Sequence, residues 1–169
     1  ALLAAMNAPK LTVRTKPVIA LISNGDELVT PGQSPGEDQI IASNTFGLAA
    51  LIRAYGAVAR ILPIARDNIK SLQTALQLSE GADLIVTIGG ASVGDHDLVA
   101  KAATQIGFEQ NFYKVAMRPG KPLMAGRLGN AALIGLPGNP VSAMVCGHIF
   151  LIPMVQAMLG LEQIQRQRF

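Results

Sequence analysis

The amino-acid sequence predicts a single α/β domain, a three-layer αβα sandwich around a mostly parallel central sheet. Three observations predict this class. The length of 169 residues is typical of one domain. Short apolar segments alternate along the chain with segments of helical periodicity. Each helical segment is long enough for the right-handed crossover that joins two parallel strands.

Composition narrows the class of protein further. Half of the residues are apolar and only 15% are charged. This composition suggests that part of the apolar surface is covered by a partner. The single cysteine, Cys146, excludes an internal disulfide and fits a reducing compartment, so we expect a cytoplasmic protein. The net charge of +3 is not gathered into a basic run, which argues against nucleic acid. The apolar stretch Met144–Leu159 is interrupted by polar residues, glycine and proline, and we expect it to fall short of a membrane span.

The first half of the chain alternates strand and helix. Residues Pro17–Ser23 form an apolar run typical of a strand buried on both faces, and a polar loop rich in proline and glycine follows. Ser43 or Asn44 is then expected to cap a helix that ends near Gly56. The second strand is predicted over Ala57–Leu62. The helix between these strands carries a repeating set of residues, Asn44, Leu48, Leu51, Ile52 and Tyr55.

The second half continues the alternation. A helix with Asp67 as its cap and a strand over Asp83–Ile88 are followed by a third helix, and Phe108–Met117 is predicted as a strand. A hairpin is predicted over Pro122–Arg127 and Ala131–Leu136. Asn139 and Pro140 then open the long final helix, Val141–Leu159, as cap and first-turn proline. The buried stripes of the two middle helices are predicted to be Ile69, Leu72 and Leu76, and Leu98, Ala102 and Ile106.

Acidic residues follow the first three parallel strands. Because ligands of open α/β sheets bind beyond the carboxyl ends of the strands, these carboxylates are expected at one rim. Such a rim suits Mg²⁺ that is held by one or two carboxylates together with substrate phosphates. The acidic residues concerned are Asp26 and Glu27, Asp67, and Asp95 and Asp97.

Anion-binding groups are predicted beside this rim. Lys114, Ala116 and Arg118 share one face by the period of two, and Lys121 follows. Gly89, Gly90 and Gly94 would let backbone N–H groups approach an anion. The stretch Pro137–Ser142 offers a second anion seat at the start of the last helix.

Each of these residues also has a purely structural interpretation. Asp67 and Asp97 are suitable helix caps, and the acidic pair after the first strand suits a solvated turn. The glycine-rich loop is by itself weak evidence for phosphate binding. His96 is expected to be exposed, His148 to be a core or interface residue, and Cys146 to be buried and inert.

Four ordered motifs resemble one family. They are Ser23–Leu28 (SNGDEL), Gly89–Asp97 (GGASVGDHD), Met117–Pro122 (MRPGKP) and Gly135–Ser142 (GLPGNPVS). In this order they resemble the central domain of the molybdopterin molybdenumtransferases, which is shared with the C-terminal part of gephyrin. The resemblance extends from about Lys16 to Gly160.

The resemblance implies a reaction and a set of residues. The family inserts molybdate into adenylylated molybdopterin, AMP is released, and Mg²⁺ assists. By resemblance Glu27, Asp67, Asp97, Lys114 and Arg118 are catalytic, and Asp67 and Asp97 hold the metal. The implied substrate-binding residues are Gly89, Gly90, Ser92, Gly94, Lys121, Pro137, Gly138, Asn139, Pro140 and Ser142.

The resemblance also implies a domain organisation. Residues 1–16 are expected to be the tail of a missing N-terminal region, 17–160 the molybdopterin-binding domain, and 161–169 a boundary before an absent β-barrel domain. The parent is expected to be a homodimer, and the isolated domain to be weakly active or inactive. Two alternatives stay open: a molybdopterin adenylyltransferase, which has the same fold, and a non-catalytic scaffold module favoured by the apolar last helix. Arg118 stands where Lys is usual, which changes the geometry of the charge from a point to a fork.

Overall fold

The computed structural model describes residues 1–89 and 98–162. The strands are β1 (Val18–Ser23), β2 (Leu28–Val29), β3 (Ile40–Ile41), β4 (Val58–Ile61), β5 (Leu84–Ile88), β6 (Phe108–Tyr113), β7 (Met124–Leu128) and β8 (Ala131–Leu136). The helices are α1 (Leu2–Ala5), α2 (Ser43–Ala54), α3 (Ile69–Gln77), α4 (Leu98–Thr104), α5 (Pro140–Cys146) and α6 (Ile152–Met158). A π-helical segment, Gly147–Leu151, joins α5 to α6.

Within the described residues, the central sheet has six strands in the order β4-β1-β5-β8-β7-β6. The first four are parallel to one another, whereas β7 is antiparallel to both of its neighbours. The carboxyl ends of β4, β1, β5 and β8 therefore lie at one edge of the sheet. The predicted fold class is confirmed.

Two apolar clusters separate the three layers. On one face of the sheet, α2, α5 and α6 pack against β1, β5 and β8. On the other face, α3 and α4 pack against the same strands and β7. The strands β1 and β5 are buried on both faces because their apolar runs are nearly unbroken, as the sequence predicts. The fully buried large side chains are Ile19, Leu21, Ile22, Leu48, Ile52, Leu72, Leu84, Leu123, Met124, Leu133, Ile134 and Leu136.

Four local expectations need correction. Helix α2 is capped by Ala42 and not by Ser43 or Asn44, which are its first two helical residues. The polar loop after β1 contains the short parallel pair of β2 and β3. Helix α3 is capped by Asn68 and not by Asp67, because the Asn68 side chain accepts a hydrogen bond from the Ser71 N–H at 2.9 Å. The strand predicted over Phe108–Met117 ends at Tyr113.

The early end of β6 changes the position of the basic residues. Lys114 has a φ of +71°, and its N–H donates to the Leu123 carbonyl at 2.7 Å. The chain thus turns at Lys114, and the expectation that Lys114, Ala116 and Arg118 share one strand face is wrong. The period of two holds only within a strand.

The final helix runs unbroken from Pro140 to Met158, over 19 residues. Its mean hydropathy of 1.7 and its length would allow it to cross a membrane, so the expected interruption does not shorten it. One face packs on the sheet through Ala143, Cys146, Leu151 and Val155, which are fully buried. The other face exposes Val141 and Ile149, at 65% and 41%. The last helix therefore has one face in the core and one uncovered apolar face.

Candidate functional site

A cavity of about 220 Å³ lies at the carboxyl edge of the sheet. Its walls are the residues that follow β1 and β5, the β2–β3 pair, the first turn of α2 and the loop before α5. The lining residues are Ser23, Asn24, Gly25, Glu27, Leu28, Ile40, Ile41, Ala42, Ser43, Asn44, Asp67, Ile88, Gly89, Gly138 and Pro140.

Glycines allow three chain segments to meet at this cavity. Gly89 directly follows β5 with a φ of +97°, and a Cβ there would lie 2.7 Å from the backbone oxygen of Asn24. A Cβ on Gly138 would lie 3.2 Å from the Cα of Gly89. Larger residues would separate these segments, so glycine here serves close approach of backbone as well as an unusual φ.

Asp67 is fixed by the loop that follows β1. Its carboxylate accepts hydrogen bonds from the Asn24 Nδ2 at 3.3 Å and from the Asp26 N–H at 3.4 Å. In return, the Asp67 N–H donates to the Asp26 Oδ1 at 3.2 Å, and Arg66 donates to the Asp26 carbonyl at 3.0 Å. Asp67 is exposed, so its carboxylate keeps acceptor positions toward solvent and the cavity.

The Glu27 carboxylate lies close to the chain beside the same cavity. A Cβ added to Gly25 would collide with both of its carboxylate oxygens. The sequence expectation that acids after β1 and β4 meet at one rim is therefore satisfied for Glu27, Asp26 and Asp67.

Helix N-termini face the cavity from two sides. The cap of α2 is Ala42, which makes no side-chain capping bond, and Ala42, Ser43 and Asn44 line the cavity. At α5 the cap is Asn139, whose side chain accepts from the Ser142 N–H at 3.2 Å. Pro140 has no N–H to offer. Among the described residues, the first turn of α2 therefore has more unpaired backbone N–H groups available to an anion than the first turn of α5.

The basic residues Lys114, Arg118 and Lys121 lie in the connection between β6 and β7, outside the cavity lining. Lys114 follows β6, which is four strands from β1, so the two strand ends are roughly 19 Å apart. The Lys114 Nζ lies 5.0 Å from the centroid of the Tyr113 ring. Lys121 and Arg118 flank Gly120, where a Cβ would lie 2.5 Å from both the Cys146 Sγ and the Met117 Cε. This packing holds the connection between β6 and β7, which carries Arg118 and Lys121, against α5.

The structure therefore brings together only part of the predicted set. Glu27, Asp67, Gly89, Gly138 and Pro140 line the cavity. Its lining among the described residues does not include Lys114, Arg118, Lys121, Pro137, Asn139 or Ser142, although the last three belong to the adjoining loop and helix start. Gly90, Ser92, Gly94 and Asp97, with Asp95 and His96, lie outside the described residues.

Among the lining residues that were not predicted as site residues, two make hydrogen bonds that shape the cavity. The buried Asn24 holds Asp67, and Asn44 donates from its Nδ2 to the Gly138 carbonyl at 2.7 Å. A signal for Asn44 exists in the sequence, since it stands at i, i+4 and i+7 with Leu48 and Leu51 and so belongs to the inward face of α2.

Cys146 matches its structural interpretation. It is a buried free cysteine, and burial raises the pKa of its thiol above the ordinary value of 9.0. A thiol that stays protonated is a poor nucleophile and a poor metal ligand.

The fold and the cavity define an α/β domain whose candidate ligand site lies at the carboxyl edge of a mostly parallel sheet. A family model described as a probable molybdopterin binding domain matches residues 20–157. The chain belongs to this molybdopterin-binding domain family.

Individual relatives agree with this assignment. A molybdopterin molybdenumtransferase from Nostoc sp. is 37% identical over 96% of this chain and 38% of its own length. One from Haemophilus influenzae is 34% identical over 96% of this chain and 40% of its own length. The crystal structure of a molybdopterin biosynthesis MoeA protein from Pyrococcus horikosii is similar with a TM-score of 0.86, at 31% identity, covering 96% of this chain and 40% of that one. The chain thus spans about two fifths of the length of these relatives.

Proposed function

We propose that this chain is the substrate-binding domain of a molybdopterin molybdenumtransferase, which inserts molybdate into adenylylated molybdopterin with release of AMP. The carboxyl-edge cavity carries the proposal, because it combines carboxylates with glycine backbone and an uncapped helix start in a chain that belongs to the molybdopterin-binding family. Molybdenum cofactor biosynthesis is the role that the names of the relatives support.

The roles follow from the chemistry of the cavity. The phosphates of the substrate would accept hydrogen bonds from N–H groups in the first turn of α2 and in the backbone near Gly89 and Gly138. Pro137 and Pro140 would hold the loop rigid, and Ser142 would stand at the edge of the same seat. Lys114 would meet only the outer part of a long ligand, given its distance along the sheet. Arg118 and Lys121, which also lie outside the cavity lining, would contact the same ligand from the connection between β6 and β7. The roles of Gly90, Ser92, Gly94 and Asp97 stay predictions.

Mg²⁺ fits the donor set as an ion shared with the substrate. Asp67 and Glu27 offer carboxylate oxygens at the cavity, whereas the described part of the chain holds no group of three or more side chains that would form a metal cage. This matches Mg²⁺, which is usually bound by one or two carboxylates and substrate phosphates. When bound, it would neutralise charge on the phosphate that leaves with AMP. Asp67, and by resemblance Asp97, would hold it.

The assembly and location of the parent protein belong to the same proposal. We expect a cytoplasmic homodimer whose partner subunit completes the site, and little turnover by this chain alone. The uncovered apolar face of the last helix, with Val141 65% exposed, supports a contact with further protein. It is also the observation that favours a scaffold role as the second candidate.

Ligand titration tests the proposal. Adenylylated molybdopterin should bind the 169-residue chain in a Mg²⁺-dependent manner, measured by calorimetry. Asp67→Asn should weaken this binding at least about tenfold, because the substitution removes the charge, and its single amide oxygen can accept from only one of Asn24 and Asp26, which donate to different carboxylate oxygens of Asp67. Asp38→Asn is the matched control, since Asp38 is exposed and lies outside the cavity lining.

Three outcomes would contradict the proposal. If the wild-type chain does not bind adenylylated molybdopterin, the proposed substrate is wrong. If the Asp67→Asn and Asp38→Asn variants bind it with equal affinity, the proposed site is wrong. Rapid formation of adenylylated product from molybdopterin, ATP and Mg²⁺ would instead identify the adenylyltransferase.

A further inference from the structure

The side chain of Asn44 connects two segments that are 94 residues apart in the chain. Its Nδ2 donates to the Gly138 carbonyl at 2.7 Å, which joins the first turn of α2 to the loop between β8 and α5. Both residues line the cavity at the carboxyl edge. Asn44 is half-buried, but Gly138 and the bond itself are exposed, so water competes with this contact and its net contribution is that of an ordinary hydrogen bond.

The loop that Asn44 contacts is held on its other side by the sheet. The Gly89 N–H donates to the Leu136 carbonyl at 3.1 Å and extends the pairing of β5 with β8. Gly138 then packs against Gly89, since an added Cβ would lie 3.2 Å from its Cα. Two residues further on, α5 begins at Pro140. A bond on the side of Gly138 that faces α2 therefore fixes where this loop enters the cavity.

Asn44 also lies at the cavity end of the interface between α2 and α5. One turn along α2, a Cβ on Gly47 would lie 3.3 Å from the Met144 Sδ in α5. At the next contact, a Cβ on Gly147 would lie 2.7 Å from the Leu48 Cδ2. The spacing of Asn44, Gly47 and Leu48 places them on one face of α2. Apolar packing thus sets the distance between α2 and α5, and Asn44 supplies the directional contact at the end that faces the cavity.

We propose that Asn44 is a positioning residue, which holds the Gly138 loop against the first turn of α2 and so sets the width of the proposed substrate site. It acts through the Gly138 carbonyl. The ligand part of this inference rests on the proposed function, whereas the loop position does not.

The first measurement needs no ligand. Amide hydrogen exchange of Gly89, Ser142 and Ala143, followed by NMR, reports on the loop in the free protein, because these N–H groups donate to the Leu136 carbonyl and to the side chain and carbonyl of Asn139. Asn44→Ala should raise exchange at these amides, and Asn44→Asp should do so too, because it replaces the donor by a carboxylate that faces a carbonyl. A negative charge in the first turn of α2 favours the helix, so Asn44→Asp separates loss of the loop contact from loss of helix stability.

The second measurement is affinity for adenylylated molybdopterin. Asn44→Ala should weaken it by about three- to tenfold, the range that one net hydrogen bond supplies. Asn68→Ala is the matched control, because Asn68 also makes one side-chain bond, to the Ser71 N–H, and lies outside the cavity lining. It should lower stability without changing affinity or the exchange of the Gly89, Ser142 and Ala143 amides.

The outcomes separate the two proposals. Unchanged exchange in both Asn44 variants overturns the positioning role, even if affinity falls, because Asn44 would then act by direct contact. A wild-type chain that binds no ligand overturns the proposed function, and exchange still decides the role of Asn44. Raised exchange with unchanged affinity shows that the loop position does not control the site, which also overturns the inference.

Discussion

Replacing Gly89 by alanine tests the junction on which the candidate site is built. A Cβ at this position would lie 2.7 Å from the backbone oxygen of Asn24, at a φ of +97°. The left-handed backbone should cost about 1–2 kcal/mol for alanine. No side-chain rotation relieves a contact with backbone, so the ends of β1 and β5 must separate, and we expect a further cost of about 1–3 kcal/mol, typical of overpacking.

Gly107→Ala is a control matched in φ. Gly107 has a φ of +95°, and a Cβ there would meet no atom of the described residues within 4 Å. It should carry the conformational cost alone. Both variants can be compared with the wild type by urea denaturation followed by circular dichroism, a method that suits a chain without tryptophan.

The difference between the two variants measures the contact of Gly89 with Asn24. If Gly89→Ala is no more destabilised than Gly107→Ala, the strand ends do not approach as described, and the argument for a glycine at this point of the cavity fails. Loss of ligand binding should accompany the larger destabilisation, since Asn24 also holds Asp67.

Three further predictions concern the cap, the thiol and the core. Asn68→Ala should lower the free energy of unfolding by about 1 kcal/mol, whereas Asp67→Asn should leave the α3 cap intact; an equal loss in urea denaturation would contradict the assignment of the cap. Because burial raises the pKa of Cys146 above 9.0, the unfolded chain loses this proton first. The free energy of unfolding should therefore fall as pH rises above that value, and Cys146→Ala should remove this part of the fall; an unaltered pH profile would refute it. Leu133→Ala, at a fully buried position, should cost about 2–5 kcal/mol in the same denaturation assay, and a loss below about 1 kcal/mol would contradict its packing.

The elements that the sequence predicts well are those whose signal is local. The apolar run of Pro17–Ser23 specifies a strand buried on both faces wherever it is placed in a sheet, and Asn139 with Pro140 specifies a helix start through bonds within one turn. The alternation of such elements is enough to predict the parallel sheet, and with it the edge where Glu27 and Asp67 meet.

Features that depend on contacts between residues far apart in the chain could not be predicted from local sequence patterns. Each strand of the β2–β3 pair has two residues, too few to show a period, and forms only because the chain returns beside itself. The turn at Lys114 depends on Leu123, and the function of Asn44 depends on Gly138, 94 residues away. Asp67 and Asn68 are equally good caps by type, and only the β1 loop, which engages Asp67, decides between them.

Because of the π-helical segment Gly147–Leu151, the last helix should tolerate the deletion of one residue better than the insertion of one. A π turn holds about one residue more than an α turn, and here the residues on both sides of it, such as Cys146 and Val155, still face the sheet. Deleting one residue, for example Ile149, would leave a regular α-helix with the same side inward. Inserting one would rotate everything beyond it by about 100° and carry Val155 into solvent. Among natural variants of this domain, shortening at this point should therefore be found more often than lengthening.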